Sequence, residues 1–148
     1  MEKIVFTNGC FDILHSGHVT YLQSAKQLGD ILIVGMNTDE SITRLKGHSR
    51  PVNPLSDRLL VLSGLSCVDH IVTFGDPLDD TPVNLIEIVR PDVFVKGGDY
   101  EKESLPELGV LESIGAEVVI IPRIPERSTT EIIKRLQDKT EVIVIEDE

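Results

Sequence analysis

Short apolar runs alternate along this chain with stretches in which apolar residues recur every three or four positions. The runs predict five strands, at about residues 4–6, 31–36, 70–74, 92–96 and 117–121. The run at 31–36 is continuously apolar, as is typical of a strand covered on both faces. The three-to-four spacing predicts helices at about residues 16–28, 40–45, 56–65, 82–89, 105–114 and 128–136. This alternation predicts one α/β domain with a doubly wound, five-stranded parallel sheet.

The loops that follow the strands are the expected ligand-binding segments. In a Rossmann-like, doubly wound sheet, ligands bind at the carboxyl ends of the strands, where the winding direction reverses. The segments at those ends are residues 8–18, 37–46, 75–80, 97–100 and 122–130. Within the last of them, Ser128 followed by Glu131 is typical of a capping box that starts a helix.

Composition narrows the class of partner. The 148 residues carry a net charge of −11, which argues against nucleic acid, so any anion site must be local. The two cysteines predict neither a disulfide framework nor a zinc site. No signal-peptide pattern and no apolar run of membrane-spanning length is visible, and we therefore expect a cytoplasmic protein with no membrane partner.

The sequence His15-Ser16-Gly17-His18 lies where the first strand meets the first helix. It is either an ordinary helix start with incidental histidines, a metal site that includes Asp12, or a phosphate site. The metal interpretation is weak, because histidines three positions apart without a third close His or Cys make a poor zinc site. The phosphate interpretation is favoured, because a helix N-terminus after a glycine-bearing turn presents free N–H groups and a positive dipole end.

Two separate motifs resemble one known group of enzymes. Residues 9–12 together with 15–18 are similar to the first signature of the nucleotidylyltransferase superfamily, and residues 123–130 are similar to the second signature of its cytidylyltransferase branch. Within the superfamily, residues 6–15, 44–54 and 95–100 resemble the adenylyltransferase domain of bacterial ADP-heptose synthesis enzymes. The likeness covers about residues 4–137, so we expect a nucleotidylyltransferase domain at 1–137 and an acidic tail at 138–148.

The resemblance implies transfer of AMP from ATP to a sugar phosphate, heptose 1-phosphate, with release of pyrophosphate. It implies a catalytic set, whose members are His15, His18, Lys46, Ser128 and Thr129. It also implies nucleotide-binding residues, namely Asn8, Gly9, Cys10, Phe11, Asp12, Gly17, Lys96, Gly97, Gly98, Asp99, Arg123, Arg127 and Thr130. Mg²⁺ is expected to arrive with ATP and to need no dedicated protein ligands.

Several of these residues have a plainer interpretation. Lys46 could equally be an ordinary solvent-exposed lysine, and the pair Gly97-Gly98 could be a simple turn. The residues that start the last helix could act only as its N-cap. Asp12 is expected either to orient a basic neighbour or to help place the metal–triphosphate. Arg50 and Arg58 are candidate phosphate contacts, although helical spacing makes a surface salt bridge the alternative for Arg58.

The sequence does not identify the acceptor phosphate or the base of the nucleotide. A glycerol-3-phosphate cytidylyltransferase and an FAD-forming adenylyltransferase are the alternatives within the class, and a non-catalytic nucleotide-binding module is the alternative outside it. The preference for adenine depends on the resemblance alone. We expect a homodimer or higher homo-oligomer. The tail is expected to form an edge strand or an oligomer contact, or to be disordered.

Overall fold

The computed structural model describes residues 1–98, 100–122 and 128–146, with side chains described up to residue 138. Five strands and six helices are present in these ranges. The strands are β1 Ile4–Gly9, β2 Ile31–Asn37, β3 His70–Phe74, β4 Val93–Gly97 and β5 Glu117–Ile121. The helices are α1 Ser16–Lys26, α2 Asp39–Lys46, α3 Leu55–Ser63, α4 Val83–Val89, α5 Leu108–Ser113 and α6 Thr129–Glu146, with a 3-10 turn at Lys102–Ser104.

The strands form one parallel sheet in the order β3-β2-β1-β4-β5. The predicted doubly wound fold is therefore confirmed. The chain moves outward from β1 to β3 and then crosses back to β4 on the other side of β1. The winding direction reverses between β1 and β4, which pair with Thr7 beside Val95. The carboxyl ends of these two strands thus lie side by side where a ligand crevice is expected.

Alternate residues of β1 enter two different cores because helices cover both faces of the sheet. Val5 packs with residues of α1 and α3, including Leu22 and Leu62. Phe6 faces the opposite way and packs with Ile86 of α4 and with α5. Val5 and Phe6 are fully buried, and burying such side chains stabilises the fold by about 1.5–3 kcal/mol each. The central strand is thereby held rigidly under the loop that follows it.

Several observed elements differ in extent from the predicted ones: β1 extends to Gly9, and among the helices α5 and α6 differ most. Helix α5 begins at Leu108 rather than at Leu105. The reason is Pro106, because a residue that precedes proline is disfavoured in the helical region, and Leu105 is extended with ψ 129°.

Helix α6 continues to Glu146, far beyond the predicted end near 136. The edge strand considered for the tail is therefore wrong as far as Glu146. No glycine or proline follows Ser128, so nothing in the chain interrupts the helical hydrogen bonding. The oligomer contact and the boundary at 137 stay predictions. Among the described residues, no helix is long and apolar enough to cross a membrane.

Candidate functional site

A cleft of about 750 Å³ lies over the carboxyl ends of β1 and β4. Every predicted site residue within the described ranges lines it, from the first motif, α2, β4 and the start of α6. These residues are Asn8, Gly9, Cys10, Phe11, Asp12, His15, Gly17, His18, Lys46, Lys96, Gly97, Gly98, Ser128, Thr129 and Thr130. Asp99, Arg123 and Arg127 lie outside the described residues. The fold thus brings distant segments to one crevice, while the role of each residue stays a prediction.

The two histidines form a reciprocal cap at the N-terminus of α1. The His15 Nδ1 atom accepts a hydrogen bond from the Gly17 N–H at 3.1 Å, and the His18 Nδ1 atom accepts one from the His15 N–H at 3.3 Å. The rings are stacked with centroids 3.8 Å apart. Because an Nδ1 atom that accepts cannot carry a proton, each neutral ring carries its proton on Nε2, as a donor.

The electrostatic surroundings keep His18 neutral. Burial, followed by electrostatic interactions with His15 and Lys46, lowers the pKa of His18 to about 4. At neutral pH the ring is therefore an uncharged hydrogen-bond donor. Such a donor can bind phosphate oxygens at the helix N-terminus, where the dipole adds positive potential.

Asp12 uses its carboxylate to hold the loop after α2. Its oxygens accept hydrogen bonds from the backbone N–H groups of Val52 and Asn53 at 2.9–3.0 Å. Arg50 Nε donates to the same carboxylate at 2.8 Å. Burial raises the pKa of Asp12, but these hydrogen bonds and the Arg50 charge outweigh it, so the pKa lies below its usual value. Asp12 is therefore hydrogen bonded to a basic neighbour, as the first of its two candidate roles requires, and the role itself stays a prediction.

That arrangement also bears on metal binding. Among the described residues, no three His, Cys, Asp or Glu side chains are grouped so that they could hold a metal ion. Asp12, the acid nearest the histidines in sequence, already has both oxygens hydrogen bonded. That Mg²⁺ arrives with ATP stays an expectation.

Arg58 lies beneath the cleft and is almost completely buried. It donates hydrogen bonds to the carbonyl oxygens of Cys10, Asn37 and Asn53 at 2.9–3.1 Å and to the Asp39 carboxylate at 2.6 Å. Arg58 does not line the cleft, so its position does not support a phosphate contact. The alternative, a salt bridge, is present with Asp39, but the guanidinium is buried rather than at the surface. Its guanidinium instead joins the ends of β1 and β2 to the start of α3.

The start of α6 is tied to the first motif. Ser128 Oγ accepts a hydrogen bond from the Glu131 N–H at 3.1 Å, which confirms the predicted N-cap. Thr129 Oγ1 donates to the Ile13 carbonyl oxygen at 3.1 Å. The two motifs, far apart in sequence, are thus in direct contact.

At the end of β4 two glycines allow aromatic rings to pack closely against the backbone. A Cβ atom on Gly97 would lie 2.9 Å from the Tyr21 ring, and Gly98 has φ +117°, which favours glycine. Lys96 Nζ lies 3.4 Å from Glu107 Oε1 and 5.4 Å from the centre of the Tyr100 ring.

Sequence reasoning assigned no role to several cleft residues, among them Tyr21 and Glu107. Tyr21 belongs to a regular helix and carries no motif. Glu107 was placed inside a helix, although its position directly after Pro106 marks the start of one.

Comparison with known proteins agrees with this geometry. The family described as cytidylyltransferase-like matches residues 6–135. The chain is 52% identical over 138 residues to the bifunctional protein HldE of Pseudomonas paraeruginosa, covering 93% of this chain and 28% of that protein. It is 54% identical over 136 residues to HldE of Helicobacter hepaticus, covering 92% and 27%. The chain therefore spans only about a quarter of the length of these curated relatives.

Solved structures extend the likeness. A lipopolysaccharide core biosynthesis protein from Thermoplasma volcanium is 31% identical, with a TM-score of 0.63, over 84% of this chain and 98% of that one. A pantoate-beta-alanine ligase from Francisella tularensis is 17% identical, with a TM-score of 0.61, over 97% and 69%. The second likeness shows the fold alone.

Proposed function

Because this chain belongs to the cytidylyltransferase-like family of nucleotidyltransferases, we propose that it transfers AMP from ATP to a sugar phosphate, with heptose 1-phosphate as the acceptor. The observation that carries the proposal is the histidine pair at the N-terminus of α1, which faces the same cleft as Lys46 and the start of α6. These groups form a cluster of phosphate donors from three separate elements.

The phosphate-binding half of the cleft combines neutral and charged donors. His15 and His18 present Nε2–H donors beside a helix N-terminus. Lys46, at the end of α2, and Arg50, held by Asp12, add positive charge at the cleft wall. Local positive charge is what an anionic ligand needs in a protein whose net charge is −11.

The start of α6 provides a second phosphate site. Ser128 and Thr129 are fixed by their hydrogen bonds to Glu131 and Ile13, so the first N–H groups of the 18-residue helix have a defined direction. Helix N-termini stabilise phosphate charge through those groups and through the dipole. We assign the triphosphate to the space between the starts of α1 and α6.

The reaction needs positioning and charge stabilisation rather than a general base. An oxygen of the acceptor phosphate, already anionic near neutral pH, attacks the α-phosphorus and forms the new P–O bond. The bond from the α-phosphorus to the bridging oxygen breaks in line, and pyrophosphate leaves with the electron pair. Negative charge develops on the phosphate oxygens, and we propose that His15, His18 and Lys46 stabilise it. Mg²⁺ carried by ATP would neutralise charge on the triphosphate.

Support for ATP and heptose 1-phosphate comes from resemblance rather than from geometry. Residues 6–15, 44–54 and 95–100 resemble adenylyltransferase domains of ADP-heptose synthesis. The Thermoplasma structure, named for lipopolysaccharide core biosynthesis, is similar over almost its whole length.

One assay tests the proposal and its alternatives together. Pyrophosphate release would be measured with ATP or CTP against heptose 1-phosphate, glycerol 3-phosphate and flavin mononucleotide. We expect turnover with ATP and heptose 1-phosphate. Turnover only with CTP and glycerol 3-phosphate, or only with ATP and the flavin, would overturn the choice of substrate. Tight ATP binding without turnover on any acceptor would indicate a non-catalytic module.

A further inference from the structure

Glu107 is a buried carboxylate with no evident structural role. The residue is 1% exposed and lies at the N-cap of α5, yet its side chain does not cap that helix. Its Oε1 atom forms a single long ion pair with Lys96 Nζ at 3.4 Å. Its Oε2 atom is buried and has no hydrogen-bond partner among the described residues. A buried carboxylate oxygen without a donor destabilises the folded protein, so its retention points to a role in binding.

A second buried acceptor lies on the same cleft. Asn8 Oδ1, at the carboxyl end of β1, likewise has no hydrogen-bond partner within the described part of the chain. Asn8 follows Thr7, and Lys96 follows Val95, in two paired parallel strands, so Asn8 and Lys96 share one face of the sheet. Lys96 contacts Glu107 on that face, and all three line the cleft. This side of the cleft is therefore rich in acceptors, in contrast to the phosphate side.

Charge decides which part of a ligand lies here. A carboxylate repels phosphate, so Glu107 must face an uncharged group that carries an O–H or N–H donor. In a nucleotide such donors occur on the ribose and on the exocyclic amine of the base. Gly97 and Gly98 line the same side of the cleft, with the rings of Tyr21 and Tyr100 packed against their backbone.

We propose that Glu107 is a nucleoside-binding residue, whose Oε2 accepts a hydrogen bond from a ribose hydroxyl or a base amine while Lys96 holds Oε1. This inference rests on the proposed function, because it assumes that the cleft binds a nucleoside triphosphate. It extends that function by assigning a nucleoside contact to a side chain that no motif marks.

The test is equilibrium binding of nucleotides without any acceptor phosphate, which excludes the acceptor sugar as the source of the donor. Dissociation constants would be measured for ATP, 2′-deoxyATP, 3′-deoxyATP and ITP, which lacks the amine. We expect the wild-type protein to bind one of the three analogues about 10-fold to 100-fold more weakly than ATP, since a hydrogen bond to a charged group is lost. The analogue that is discriminated against identifies ribose or base as the source.

The variant Glu107→Gln then removes the discrimination. Its amide oxygen faces Lys96, so the NH₂ group replaces Oε2 and meets the ligand donor with another donor. We expect the preference for ATP over that analogue to fall to about threefold or less, because the charged hydrogen bond that produces the preference is no longer formed. The matched control is Glu112→Gln, an exposed residue of the same helix, which should keep the wild-type ratio.

The outcomes separate this inference from the proposed function. If Glu107→Gln weakens ATP and all analogues by the same factor, or if the wild type binds all four alike, the inference is wrong. If the wild type binds no nucleoside triphosphate at all, the proposed function fails instead. Should Glu107→Gln fold poorly in a thermal scan, Glu107→Asp, which withdraws the carboxylate by one methylene, gives the same ratio test.

Discussion

The buried guanidinium of Arg58 allows a sharp test of how the cleft is supported. Replacing Arg58 with Met keeps an unbranched apolar stem but removes the guanidinium and its four hydrogen bonds. The Asn37 carbonyl oxygen lies in a buried part of this network and would be left without its donor. Leaving a buried carbonyl oxygen without its donor costs about 1–3 kcal/mol for each such group. The loss of the ion pair adds little to this, because the side chain of Asp39 is 39% exposed. The total loss is a large share of a typical folding free energy of about 5–15 kcal/mol.

The assay is thermal and urea unfolding of Arg58→Met against the wild type. For a chain of this size we expect the Tm to fall by about 10 °C. Arg44→Met is the matched control, because Arg44 also pairs with an aspartate, Asp80, at 2.7 Å, but its side chain is 34% exposed. Exposed pairs contribute little in water, so this control should leave the Tm nearly unchanged.

Two results would refute the reasoning. Equal loss of stability in both variants would mean that burial does not decide the effect. An Arg58→Met protein as stable as the wild type, with a greatly raised KM for nucleotide, would mean that Arg58 contacts phosphate after all.

Three further predictions concern the cleft itself. His18→Ala should lower turnover about 10²-fold to 10³-fold, as the loss of one transition-state donor does. The control His48→Ala, at an exposed position, should keep wild-type turnover. Nearly full turnover in His18→Ala would contradict the role assigned to His18. The pKa of His18 falls from 6.5 in the unfolded chain to about 4 in the folded protein. Between these two pH values the unfolded chain therefore binds more protons than the folded protein. The stability contributed by neutral His18 is thus present above pH 6.5 and is lost as the pH falls towards 4. Urea unfolding across that range, with His18→Ala for comparison, measures it, and identical pH slopes would argue against the shift. Asp12→Asn should weaken the loop attachment and speed hydrogen exchange at the Val52 and Asn53 amides about 10-fold or more, without changing exchange in β1.

Much of the fold could be predicted because its signals are local. Apolar runs and helical spacing act over a few residues, and the alternation of strands and helices restricts the topology to a doubly wound sheet. The position of His15 and His18 at a strand–helix junction was also readable, since the capping geometry of α1 involves only neighbours in sequence. Those patterns were sufficient to predict that the segments after the strands share one crevice.

The tertiary structure decided what each charged side chain contacts. Arg58 lies in a helical pattern that suits the surface, yet strand ends and a loop enclose it. Asp12 has its carboxylate directed to residues about 40 positions later, and the contact of Glu107 with Lys96 depends on where α5 starts. Burial and ion pairing arise from contacts between distant segments, which no local pattern encodes. The sequence by itself therefore determined where the site would form, whereas only the packed fold decided which residues support it and which face the ligand.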